Sequence, residues 1–139
     1  MGDESAAAEA IQVLEFDLGG ERFCVGIEHV SEIVEAGEIS RVPETPPHVV
    51  GVMALRGETT RIVDPKRILD VDGDADGDYV IVLEGDADEP TGWLVDAVDQ
   101  VTAVDGDDVD GDRGGRAVAG VVMRDEDFVV LVDPDAVDD

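Results

Sequence analysis

Residues 49–65 read Val-Val-Gly-Val-Met-Ala-Leu-Arg-Gly-Glu-Thr-Thr-Arg-Ile-Val-Asp-Pro, and this plan occurs twice. Residues 118–134 read Val-Ala-Gly-Val-Val-Met-Arg-Asp-Glu-Asp-Phe-Val-Val-Leu-Val-Asp-Pro, over the same length. Val49, Gly51, Val52, Val63, Asp64 and Pro65 meet Val118, Gly120, Val121, Val132, Asp133 and Pro134. Ile62/Leu131 and Glu58/Asp127 keep their chemistry. Upstream, Ile27–Ile33 aligns with Val95–Val101, with the apolar positions and one acid coinciding. Self-similarity at a long fixed spacing implies one structural unit used twice. The chain divides into an acidic flexible tail at 1–10 and a domain at 11–139. The domain has halves at roughly 13–69 and 79–133, separated by an acidic linker at 70–78.

Reading outward from the repeat, Thr45 is placed to cap a helix that starts at Pro46-Pro47, because proline is accepted in a first helical turn. Val49, Val52 and Met53 fall on one face of that helix, and Gly57 would stop it. A strand over Thr59–Asp64 and a helical turn over Lys66–Leu69 follow. The second copy predicts a helix over Ala117–Val122 and a strand over Phe128–Val132. Before the repeat, Ile11–Leu18 alternates apolar and polar residues as a strand does, Gly19-Gly20 signals a hairpin, and Arg22–Ile27 is the return strand. Val30, Ile33 and Val34 suit one face of a short helix over Glu28–Val34. Ile39–Val42 is a short strand. Tyr79–Glu84 and Gly92–Val95 are strands around a turn at Gly85–Pro90, and the spacing of Val98, Val101 and Val104 fits helix or strand. Nine or ten short strands with turn signals between them predict a mainly β protein, a sandwich or small barrels, and the repeat favours two small barrels.

The chain has 139 residues, 43% of them hydrophobic, enough for a core that needs no metal or disulfide. The lone Cys24 cannot form an internal disulfide, and with no secretory signal a cytoplasmic location is expected. Thirty-six acids stand against nine Lys and Arg, for a net charge of −27. Such a surface repels phosphate backbones and anionic lipid, which argues against nucleic acid and against direct membrane insertion or binding. An acidic disordered chain would lack the regular apolar runs seen here. The remaining reading is a folded protein adapted to concentrated salt, where the screening length falls to about 3 Å at 1 M. The fold is then expected to be lost in dilute buffer, and circular dichroism in molar and millimolar salt checks this.

No catalytic constellation emerges. Cys24 sits between Phe23 and Val25 as a buried apolar residue would, with no base beside it. His29 and His48, the only imidazoles, belong to no metal-spaced cluster. Asp72, Asp74, Asp76 and Gly77 have the spacing that opens a calcium loop, but Leu83 stands where the closing Glu is needed. No cofactor and no metal site are expected. A small enzyme using Cys24 or a metal at the acidic loops is the competing class, and it would require a closed ligand set.

Several runs together resemble the CheW family of chemotaxis coupling proteins, over about Leu14 to Asp133. They are Phe16-Asp-Leu-Gly-Gly-Glu-Arg-Phe-Cys-Val-Gly-Ile, Ile27-Glu-His-Val-Ser-Glu-Ile-Val, Arg41-Val-Pro-Glu-Thr-Pro-Pro-His-Val-Val-Gly-Val, Leu55-Arg-Gly with Ile62-Val-Asp, Leu94-Val-Asp-Ala-Val, Gly120-Val-Val and Val129-Val-Leu-Val-Asp. The resemblance implies two intertwined SH3-like β-barrels of about five strands each. It implies a non-catalytic adaptor that joins the regulatory domain of a CheA-type histidine kinase to the cytoplasmic tip of a methyl-accepting chemoreceptor, at membrane-associated receptor arrays. By similarity, Val30 and Glu32 match positions of receptor contact, Arg56 matches the family's functional arginine, and Gly51 matches a position sensitive to substitution. Val95 and Val98 would line the same groove on the second barrel. The acidity suggests a halophilic archaeal type. A detached scaffold domain of a related signalling protein is the alternative within the same fold. The chain departs from the family at Ala54, where the motif often has Asn, in the acidity of 70–78 and 105–115, and in the near absence of a C-terminal helix after Pro134.

Overall fold

Both copies of the repeated stretch are β-hairpins in the computed structural model, which describes residues 10–73, 77–84, 90–110, 117–123 and 128–134. The first pairs β5 (Val49–Leu55) with β6 (Glu58–Val63), the second β11 (Val118–Met123) with β12 (Phe128–Val132). Val49 faces Val63 and Gly51 faces Ile62, as Val118 faces Val132 and Gly120 faces Leu131, with one irregularity at the same place in each. The helices expected from Pro46-Pro47 to Gly57 and over Ala117–Val122 are therefore absent: Val49–Leu55 and Val118–Met123 are strands, with a turn before Val49. The reason lies in that bulge: an extra residue in an alternating strand turns a spacing of two into three, which imitates a helical face.

The same cause corrects the helix expected over Glu28–Val34. A single 3₁₀ turn over Ile27–His29 leads into β3 (Val30–Glu35), whose register shifts between Val30 and Glu32. The other strands are β1 (Ala10–Leu18), β2 (Glu21–Gly26), β4 (Ile39–Ser40), β7 (Tyr79–Leu83), β8 (Thr91–Val95), β9 (Ala97–Asp105) and β10 (Val109–Asp110). The ambiguous stretch at Val98–Val104 is thus strand. Helix α1 (Pro65–Leu69) forms where a helical turn is expected, capped by the Asp64 side chain on Lys66 N and closed by Asp70 in the left-handed region. Twelve strands are found among the described residues, two or three more than expected. The stretches 1–9, 74–76, 85–89, 111–116, 124–127 and 135–139, with most of the tail and parts of the linker, the 85–90 turn and the second acidic loop, lie outside the described residues.

The strands form two six-stranded sheets with one plan, β9-β1-β2-β12-β11-β10 and β3-β7-β8-β6-β5-β4. This is the mainly β, two-barrel architecture. In each sheet a hairpin is joined by parallel pairing to a strand from the other repeat: β2 to β12 at Phe23↔Val130 and Cys24↔Leu131, β8 to β6 at Ile62↔Gly92 and Val63↔Trp93. The β1–β2 hairpin of the first half belongs to the sheet of the second half, and β7–β8 belongs to the sheet of the first. One sheet is continuous in sequence (β3 to β8), and the other is built around it by 10–26 and 97–132.

That exchange gives the central strands two buried faces. Val13, Cys24, Val104, Val122 and Val129 fill the core of one sheet, and Met53, Ile62, Val80, Val82 and Leu94 fill the other. The alternate residues form the largest cluster, with Leu14, Phe16, Phe23 and Val25 packed on Val63, Ile81, Trp93 and Val95 across the two sheets. Phe16 stacks on Phe23 at 6.2 Å and meets Trp93 at 5.9 Å between ring centroids. This two-sided burial explains the unbroken apolar runs of Phe23–Val25 and Val80–Val82.

Candidate functional site

The β5–β6 hairpin turns through Arg56-Gly57, with Leu55 paired to Glu58. Both turn residues have positive φ, 51° for Arg56 and 82° for Gly57, the geometry of a two-residue loop whose twist matches its strands. Glycine accepts this freely, whereas Arg56 does so at a cost, and the turn carries its side chain to the end of β3. There the guanidinium forms a two-pronged ion pair with Glu32, Nη1 reaching Oε1 at 3.0 Å and Nη2 bonding Oε2. The hydrogen bond from Arg56, helped by its charge, holds the Glu32 carboxyl below its usual range against the opposing cost of desolvation. Glu32 in turn raises the proton affinity of Arg56.

The pair borders a cleft of about 370 Å³ at one end of the contiguous sheet, lined also by Ser31, Leu55, Thr60, Leu83 and Glu84. Thr60 is 1% exposed, and its hydroxyl is buried without a hydrogen-bond partner. Sequence reasoning brought Glu32 and Arg56 forward separately, 24 residues apart, and the fold unites them. It did not single out Thr60, whose only signal is a polar residue inside a buried strand.

The other expected residues divide by burial. Val30 and Val98 occupy equivalent places at the start of the edge strands β3 and β9, opposite Leu83 and Phe16, and both pack half-buried on the central cluster. Val95 is fully buried within that cluster, so it presents no surface to a groove and acts in packing the two sheets. Gly51 is buried, and a Cβ there would lie 2.1 Å from the Ser40 carbonyl oxygen. Its side chain must be absent because β4 crosses at that point, so a substitution there would strain the fold whether or not a partner touches it.

Cys24 is buried and its thiol is pushed up to about 12 by desolvation, the environment of an inert core residue. His29 lies at the surface with Nε2 3.5 Å from Glu28. No group of three or more potential metal ligands occurs among the described residues. Among them, too, no helix is long and apolar enough to cross a membrane.

Comparison with known proteins agrees with this architecture. The CheW-like domain family matches residues 12–139. A chemotaxis protein CheW of Thermotoga maritima is 25% identical over 94% of this chain and 89% of its own length. A chemotaxis protein CheW of Rhizobium meliloti is 31% identical over 91% of this chain and 86% of its own. The crystal structure of the scaffolding protein TtCheW from Thermoanaerobacter tengcongensis superposes with a TM-score of 0.77, covering 88% of this chain and 83% of that one, at 23% identity.

Proposed function

This chain belongs to the CheW family, and from that premise we propose that it is a non-catalytic chemotaxis adaptor whose contiguous sheet carries the main contact for its partners. The observation that carries the assignment of the site is the Glu32–Arg56 pair at the rim of the Thr60 cleft. An exposed two-pronged ion pair adds little to stability, because water and salt compete for both groups. It does fix two long side chains in one geometry, and it presents remaining donors and acceptors to a partner. Val30, behind Glu32 on the same strand, supplies an apolar contact with a polar rim, as recognition patches do. Val98 holds the equivalent place on the other sheet, and the two valines flank the central cluster where a helical hairpin could dock.

The partners proposed are the regulatory domain of a CheA-type histidine kinase and the cytoplasmic tip of a methyl-accepting chemoreceptor, with the adaptor acting at receptor arrays. The test is a pull-down in molar salt of the purified chain against a matching kinase and a receptor signalling fragment, with kinase activity read alongside. Binding to both, with activity rising only when all three are present, is the expected result. Binding to neither by the folded chain would leave the architecture and remove the adaptor assignment.

A further inference from the structure

The basic residues of this chain are not spread evenly. Residues 41–67 carry five of the nine Lys and Arg against only three acids, while the rest of the chain carries four against 33. Within that stretch lies a second cleft, of about 280 Å³, separate from the Glu32–Arg56 rim and lined by Arg41, Arg67, Asp64, Pro47, Val49 and Val50. Arg41 and Arg67 are exposed, and among the described residues neither makes an ion pair. Asp64 is 2% exposed; its Oδ1 accepts from Lys66 N at 3.0 Å, and its Oδ2 has no hydrogen-bond partner. The cleft therefore presents two guanidinium groups with donors to spare and one buried acceptor that lacks a donor.

We propose that this cleft seats one acidic residue of an extended segment of a protein partner, its carboxylate held by Arg41 and Arg67 and its backbone N–H donated to Asp64 Oδ2. A free hydrogen phosphate carries its charge and its O–H on one compact ion, whereas an acidic residue in a peptide brings the anion and the N–H on separate atoms, one for the arginines and one for Asp64 Oδ2. Pro47, Val49 and Val50 give the aliphatic part of such a segment an apolar floor. Concentrated salt removes long-range attraction but spares pairs at contact distance, so the seat acts by direct contact and not by steering. The adaptor reading supplies only the identity of the protein that brings the segment.

The test is an NMR titration of the ¹⁵N-labelled full chain in molar potassium chloride, with acetyl-Gly-Glu-Gly-amide, acetyl-Gly-Gln-Gly-amide and inorganic phosphate in separate arms. The Glu peptide is expected to give saturable shifts at Arg41, Asp64 and Arg67, with the Gln peptide at least tenfold weaker. The double variant Arg41→Glu/Arg67→Glu should lose at least tenfold in affinity with unchanged circular dichroism; if it fails to fold, Arg41→Gln and Arg67→Gln singly take its place. Phosphate binding as tightly as the Glu peptide at the same residues, or no saturable shift there in any arm, would overturn the proposal. Its failure can be told apart from that of the adaptor reading. If Arg56→Glu abolishes kinase and receptor binding while the double variant retains both, the adaptor stands and the seat falls. If the peptide saturates the cleft but the unaltered chain binds neither protein, the seat stands and the adaptor falls.

Discussion

The hairpins at 49–63 and 118–132 share register, bulge and a close-approach glycine, and they part company at their tips. Near the first tip Ala54 faces Thr59, and the turn beyond presents Arg56 to Glu32. At the second, the equivalent pair is Met123 and Phe128, 45% and 64% exposed. The residues kept between the copies pair strands and fill cores; buried positions that differ, Met53 against Val122 and Thr60 against Val129, stay buried, and the exposed tips differ most. The flanks of the two sheets differ in the same way. Asp96 accepts from Gly19 N at 2.6 Å and pairs with Lys66 Nζ at 3.0 Å, which ties the β1–β2 turn of one sheet to α1 beside the other. Its counterpart in the repeat, Glu28, pairs among the described residues with the neighbouring His29 at the surface. One plan thus yields two barrels of equal framework and unequal surface.

The largest test of the shared framework is Gly51→Ala set against Gly120→Ala. The first drives a Cβ into the Ser40 carbonyl, and a loss of about 3–4 kcal/mol is expected. At Gly120 the nearest contacts are the Val109 side chain at 2.8 Å and the Asp110 oxygen at 3.1 Å. A loss of about 1–2 kcal/mol is expected there, since a side-chain tip can move. Urea denaturation of both variants ranks them, and equal losses would show that the two crossings are equally tight. Next comes Lys66→Met, which takes the counter-charge from Asp96 and leaves it the bond from Gly19 N. With Lys66 4% and Asp96 32% exposed, a loss of about 2 kcal/mol is expected, against a change within about 0.5 kcal/mol for Glu28→Gln.

Arg56→Glu should leave the denaturation midpoint unmoved and weaken kinase or receptor binding at least tenfold by titration calorimetry; Met123→Glu in the same assay reveals whether the apolar tip serves the other partner. The smallest effect is in pH. Glu32 has its proton affinity lowered in the fold, so its contribution is present above the ordinary glutamate range and is lost as pH falls through the lower folded value. Asp64 runs the other way: burial raises its pKa, so the fold is favoured while it is protonated, and that contribution is lost as pH rises from the ordinary aspartate range through the raised value. Carboxyl carbon NMR titration of the two residues should move them in opposite directions, and Arg56→Ala should return Glu32 towards its ordinary range while leaving Asp64 in place.

Much of this was legible in the residues. Strand β1, the Gly19-Gly20 turn, β6, β7, β8 and the helical turn after Asp64 carry local signals of period, cap and turn, and they fall where those signals put them. The errors cluster at bulges. Val30 with Ile33, and Val49 with Val52 and Met53, keep a spacing of three only because a strand irregularity interrupts alternation. A helix and a bulged strand cannot be told apart from apolar spacing over six residues. Of the candidate site, Glu32 and Arg56 are expectations of the family resemblance, their contact comes only from the fold, and Val95, expected in the groove, is enclosed by its neighbours.

The sequence by itself determined that one unit is used twice, that each copy is mainly β, and that a large acidic charge surrounds a Val- and Ile-rich core, because repeat order, alternation and composition are local properties of the chain. Only the tertiary structure decided that each copy lends its hairpin to the other's sheet. The parallel pairings of β2 with β12 and β6 with β8 join residues far apart in sequence, and they are held by a cluster that neither half can bury alone. No residue announces such a pairing by its own preference; it forms because Leu14, Phe16, Trp93 and Val95 leave water only when both hairpins cross.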